Sequence, residues 1–121
     1  MRYLLICLLA IGCSKKSEEK PWLPDPTEVP PMAASEIKRG QDACTAYVGK
    51  ICDCAKRLPD RKDVGEACKL ASGYPEAIEV GLNVANNPES TKRDNKQSQD
   101  MVRKTMAKCI EEAGKLTLLG C

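Results

Sequence analysis

From Ala34 onward, apolar residues recur at three- and four-residue steps, the spacing of one face of an α-helix. Ser35 is placed to cap a first helix running to Arg57 or Leu58. Cys44, Tyr47, Val48, Ile51, Ala55 and Leu58 mark its inner side, and Pro59-Asp60 ends it. Asp63, with Glu66 three residues on, has the layout of a capping box for a second helix. Gly73-Tyr74-Pro75 interrupts that helix. Proline lacks the N–H an inner turn needs but suits a first turn. The pattern therefore predicts a kink or break near Pro75 and a continuation through Asn86, with Ile78, Leu82 and Ala85 on the buried side.

Asn86-Asn87-Pro88 reads as a turn, and the polar run ESTKRDNKQSQD follows it. A third helix starts either near Thr91 or only after Ser98. Its inner face is Val102, Thr105, Met106, Cys109, Ala113 and Leu116, with Met101 also read as core and Gly114 as a stop. The tail KLTLLGC carries three leucines and is expected to lie against the bundle. These elements make an all-α fold, a small three-helix bundle over residues 34–121.

The N-terminal third is different. Arg2 precedes an apolar run from Tyr3 to Ile11, the layout of a secretory signal. The run is about half the ~20 residues a spanning helix needs. Residues 14–33 read as a linker, because five of the eight prolines fall there, and proline favours extended backbone. Trp22, inside it, is read as folding back on the domain or as a lone exposed aromatic, with docking on a partner or at the lipid interface as the alternative.

Ala10-Ile11-Gly12-Cys13 resembles the lipobox of bacterial lipoproteins, with Ala10 where that family usually has leucine. The resemblance covers about the first fourteen residues. It implies a signal peptide over residues 1–12, cleavage before Cys13, and lipidation of Cys13, whose thiol takes the lipid. Several acyl chains on one residue hold a protein on a bilayer stably, where one chain does not. Ser14, rather than Asp, follows the cysteine, and the family's sorting rule then implies the outer membrane. The chain as a whole resembles small cysteine-rich bacterial lipoproteins, and that resemblance carries no activity.

Of eight cysteines, Cys7 falls in the signal and Cys13 takes the lipid. The remaining six, Cys44, Cys52, Cys54, Cys68, Cys109 and Cys121, read as a disulfide framework in an exported domain with a thin core. The chain has no Phe, and the domain keeps Tyr47 and Tyr74 as its only aromatics, so staples are needed. A helix turns ~100° per residue, which sets Cys52 and Cys54 on opposite flanks of the first helix, each facing a different neighbour. Counting from the turns gives Cys54–Cys68, Cys52–Cys109 and Cys44–Cys121, the last two able to exchange partners.

Competing chemistry finds little support. The chain has no His, which removes the commonest general base, the partner of Ser and Cys nucleophiles, and a common metal ligand. No Cys-x-x-Cys stands at a helix start, where the dipole would lower a thiol pKa. Glu76 with Glu79, and Lys108 with Glu111, read as solvated helix surface. Removing residues 1–12 takes only Arg2 from nineteen basic residues, against seventeen acidic ones. That balance gives a nucleic-acid partner no electrostatic support. No cofactor, metal or small-molecule substrate is implied. The expectation is a non-catalytic, lipid-anchored envelope protein, a structural or protein-interaction module with an inhibitor or immunity role as a sub-case. Its partners are the membrane, through the N-terminal lipid, and an unidentified envelope protein. The competing expectation is a thiol-disulfide oxidoreductase or redox chaperone using Cys52 and Cys54.

Overall fold

A computed structural model describes residues 30–121, and these are helical with no strand. The signal segment, Cys13 and the linker up to residue 29, with Trp22, lie outside the described residues. The elements are α1 (Ala34–Arg57), α2 (Lys62–Ser72), α3 (Tyr74–Asn86), α4 (Lys92–Gly114) and a 3-10 turn, Leu116–Leu119.

The expected second helix is two helices, α2 and α3, meeting at Gly73. Pro75 lies in the first turn of α3 and has no N–H to offer the carbonyl of Ala71. The break lets the two halves serve different partners: α2 packs along α1, and α3 packs along α4. Gly81 of α3 faces Val102 of α4, and Tyr74 faces Lys108, so this pair is antiparallel.

α1 and α4 run parallel at an almost constant offset. Glu36 pairs with Arg103 at 3.0 Å across 67 positions, and Cys44 bonds Cys109 across 65. Between them Gly40 faces Met106, so closely that a Cβ on Gly40 would lie 2.6 Å from Met106 Cγ and 2.9 Å from its Cβ. The glycine is what allows the two helices to approach there. Parallel neighbours require a connection that travels the full length back, and the α2–α3 pair provides it.

The core is aliphatic and cysteine-rich: Tyr47, Ile51, Val64, Ala71, Ile78, Val102 and Met106 pack with Cys44, Cys54 and Cys109. Met101 is a correction to the expected core, since it is 42% exposed, with only its methyl end near Gly81 of α3, while Met106 is buried. Leu116 and Leu119 of the tail pack on the core, and Leu118 points outward.

The caps differ in part from expectation. The first helix starts at Ala34, behind Ala33, without a side-chain cap from Ser35. Asp63 sits inside the first turn of α2, where its carboxylate receives Arg61 Nε at 2.9 Å and Nη2 at 2.7 Å instead of closing a capping box. Thr91 caps α4: its Oγ1 accepts the Asp94 N–H at 3.1 Å and donates to Asp94 Oδ2 at 2.7 Å. The third expected helix therefore takes the earlier of its two predicted starts.

Candidate functional site

The six cysteines after Cys13 are the feature that sequence singled out, and the fold consumes all six. The bridges are Cys44–Cys109, Cys52–Cys68 and Cys54–Cys121, with Cα separations of 4.9, 4.8 and 5.6 Å. These distances lie within the normal range for a disulfide.

None of the three first-choice pairings is observed, but Cys44–Cys109 is one of the two bridges that an exchange of the last two pairings allows. Cys52–Cys109 and Cys44–Cys121 failed on axial register. The parallel packing sets Cys109 level with Cys44, and Cys52 lies eight residues, about 12 Å, farther along α1. The tail does not turn back towards Cys44. It continues in the direction of α4 and keeps the same offset, so that Cys121 reaches Cys54 across 67 positions. Gly120 makes the final turn, with φ +80, and the Cys121 N–H closes onto the Leu116 carbonyl at 3.0 Å. That is the hydrogen-bond pattern of a Schellman motif, which favours glycine at this position.

Cys54–Cys68 failed on flank rather than level. Cys54 shares the α4 side of α1 with Cys44, Tyr47 and Ile51, all of them buried, whereas Cys52 faces α2. The two-residue step carries the side chain round by ~200°. The expectation that Cys52 and Cys54 meet different neighbours holds, with the neighbours exchanged.

The bridges differ in access. Cys44, Cys109 and Cys54 are fully buried, while Cys52 and Cys68 are half-buried. The Ser72 hydroxyl donates to the Cys68 carbonyl at 2.8 Å and lies 3.7 Å from Cys52 Sγ. No thiol is left in α1 to act as nucleophile, and Cys52 and Cys54 are not brought together as a dithiol pair.

Other surfaces carry charge without convergence. A groove of about 520 Å³ on the outer face of α4 is flanked by Arg93, Lys96, Asp100 and Lys104, with Met101 between them. A second groove, of about 430 Å³, lies beside Cys121 among Lys50, Asp53, Arg57 and Leu116. Neither holds a nucleophile beside a general base. Glu111 and Glu112 both accept from Lys115, at 2.7 and 3.1 Å, which draws the Glu111 carboxyl below and raises the lysine above their ordinary ranges. Tyr47 is pushed up by burial first and then by Glu112, so its hydroxyl stays neutral. Glu76 and Glu79 remain exposed on α3. Lys108 stands 5.8 Å above the Tyr74 ring, a cation–π contact that tacks α4 to α3.

Among the described residues no cluster of His, Cys, Asp and Glu is placed to hold a metal ion, and no helix is long and apolar enough to cross a membrane. No protein-family model, curated protein or solved structure matches the chain.

Proposed function

We propose that this chain is a lipid-anchored protein of the bacterial cell envelope, non-catalytic, whose helical domain serves as a structural or protein-interaction module held out on a proline-rich stalk. One observation carries the reading: the six cysteines beyond Cys13 form three bridges within the chain. Disulfides persist in exported proteins and are rare where thiol reductants are kept. The framework therefore supports the export that the resemblance of Ala10 to Cys13 to a lipobox implies. A thin aliphatic core explains why the domain needs the bridges. Among the described residues the surface supplies charged and apolar positions for contact. An oxidoreductase reading loses its candidate dithiol, because Cys52 and Cys54 belong to different bridges.

The test is intact mass and disulfide mapping of protein extracted from a bacterial host with a lipoprotein pathway. The expected product starts at Cys13, carries acyl chains, and yields the three bridges in peptide digests. A product without lipid refutes the anchor. Free thiols at Cys52 and Cys54, or a bond between them, refute the scaffold and return thiol chemistry to first place.

A further inference from the structure

The first described residues set the start of a path along α4. Met32 packs on the core, Pro31 lines a notch with Gln99 of α4, and Pro30 is exposed. The sequence ahead of them repeats every third residue. Leu23, Pro26 and Val29 are apolar and in step with Met32. Asp25 and Glu28 are acidic and in step with Pro31, while Pro24 and Thr27 are in step with Pro30. A polyproline helix has three residues per turn, so each series is one of its faces. Pro24, Pro26, Pro30 and Pro31 favour that conformation.

α4 offers a row with the same step. Gln99, Lys96 and Arg93 are three residues apart, which sets neighbouring Cβ atoms ~5–6 Å apart. Lys96 and Arg93 are exposed and have no ion pair among the described residues, whereas Arg103 is held by Glu36. Arg93 also stands in the first turn of α4, where the helix dipole favours anions and Asp94 is the acidic residue. Both cations border the groove of about 520 Å³ on the outer face. Three residues of a polyproline helix advance about 9 Å. Counted from Pro31 beside Gln99, Glu28 comes one step along the row and Asp25 two. The long Lys96 and Arg93 side chains lean towards the start of the helix, which takes up the difference in step.

We propose that residues 23–29 dock as a polyproline strap on the first turns of α4, with Glu28 paired to Lys96 and Asp25 to Arg93. Val29 and Pro26 then continue the apolar side that Met32 lays on the core, and Pro24, Thr27 and Pro30 face solvent. Single exposed ion pairs are weak. Here the partner is tethered, and a short tether gives an effective concentration of about millimolar, so weak pairs acting together suffice. The strap stiffens the base of the stalk and directs the chain off the bundle at the end where α1 and α4 begin. This goes beyond the function proposed above and does not depend on lipidation of Cys13.

The test is backbone ¹⁵N relaxation on the oxidised full chain in detergent micelles. In the wild type, order parameters at Thr27, Glu28 and Val29 are expected near the ~0.85 of rigid backbone. Asp25→Lys with Glu28→Lys should drop them below ~0.6, the range of flexible backbone. Adding Arg93→Glu and Lys96→Glu to that variant should restore them. Flexible values in the wild type overturn the proposal, and need no variant. So does order that survives the charge reversal, which assigns the strap to a surface other than this row. Failure of the fourfold variant to regain order, with its helical content intact, also overturns it. Order that is lost on dilution assigns the strap to a second copy and overturns it as well.

Discussion

Adding one methyl group to α1 is expected to have opposite effects at two glycines nine residues apart. At Gly49 a Cβ would meet nothing within 4 Å, so Gly49→Ala changes only the helix backbone. Alanine in a helix interior is favoured over glycine by ~0.8–1.0 kcal/mol, and that gain should appear as added stability. At Gly40 the same propensity gain is opposed. The new methyl would lie 2.6 Å from Met106 Cγ and 2.9 Å from Met106 Cβ, where carbon atoms prefer ~3.5–4.0 Å. The Cγ can swing away by rotation about χ1, but the Cβ is fixed to the α4 backbone. Relief therefore requires α1 and α4 to part close to the Cys44–Cys109 bridge, which resists. Overpacking of this kind costs ~1–3 kcal/mol. The net expectation for Gly40→Ala is a loss of about 1 kcal/mol, against a gain of about 1 kcal/mol for Gly49→Ala. The assay is urea denaturation with the disulfides intact, comparing midpoints at equal slope. In a domain of this size each change corresponds to ~4–8 °C in Tm. Equal stabilisation by the two substitutions would refute the close approach of α1 to α4, and with it the register that pairs the cysteines.

Stepwise reduction with alkylation and mass mapping should open Cys52–Cys68 first, because its sulfurs are half-buried, and Cys44–Cys109 last, because both are fully enclosed. Gly120→Ala should cost about 1 kcal/mol, since φ +80 is strained for a residue with a Cβ, and should speed reduction of the adjacent Cys54–Cys121 bridge. Thr91→Ala removes the α4 cap and should cost about 1 kcal/mol in the same urea assay. The Arg61 fork lowers the Asp63 carboxyl from 3.8 to about 2 in the folded chain. A depressed folded pKa gives stability that is present above pH 3.8 and lost as the pH falls towards 2. The side-chain carboxyl shift of Asp63 in an NMR titration should show that midpoint, and Arg61→Ala should return it to the ordinary range.

The spacing of apolar residues placed the first helix and the second, interrupted one within a turn but left the start of the third open between Thr91 and Ser98, because burying one face of a helix leaves a period that survives in the chain and a polar run carries none. Capping was less legible. Thr91 acts as its residue type suggests, but Asp63 does not, since a neighbouring guanidinium competes for its carboxylate. Asn95 and Gln99 stood within the polar run ESTKRDNKQSQD with no mark of burial. Gln99 is buried where it meets Met32 and Leu82, residues distant in sequence, and no local signal marks it.

The chain by itself determined an all-α domain, a kink or break near Pro75, and the divergence of Cys52 and Cys54 onto two flanks of one helix. These follow from dihedral preferences, the missing proline N–H and the ~100° helical step, which are properties of neighbouring residues. Tertiary structure alone decided which cysteine meets which. Pairing requires the azimuth and the axial offset of two helices at once, and a shift of a few residues moves a sulfur by several ångströms, beyond the reach of a disulfide. That offset is set where Gly40 admits Met106 and Glu36 meets Arg103, contacts between segments more than sixty residues apart.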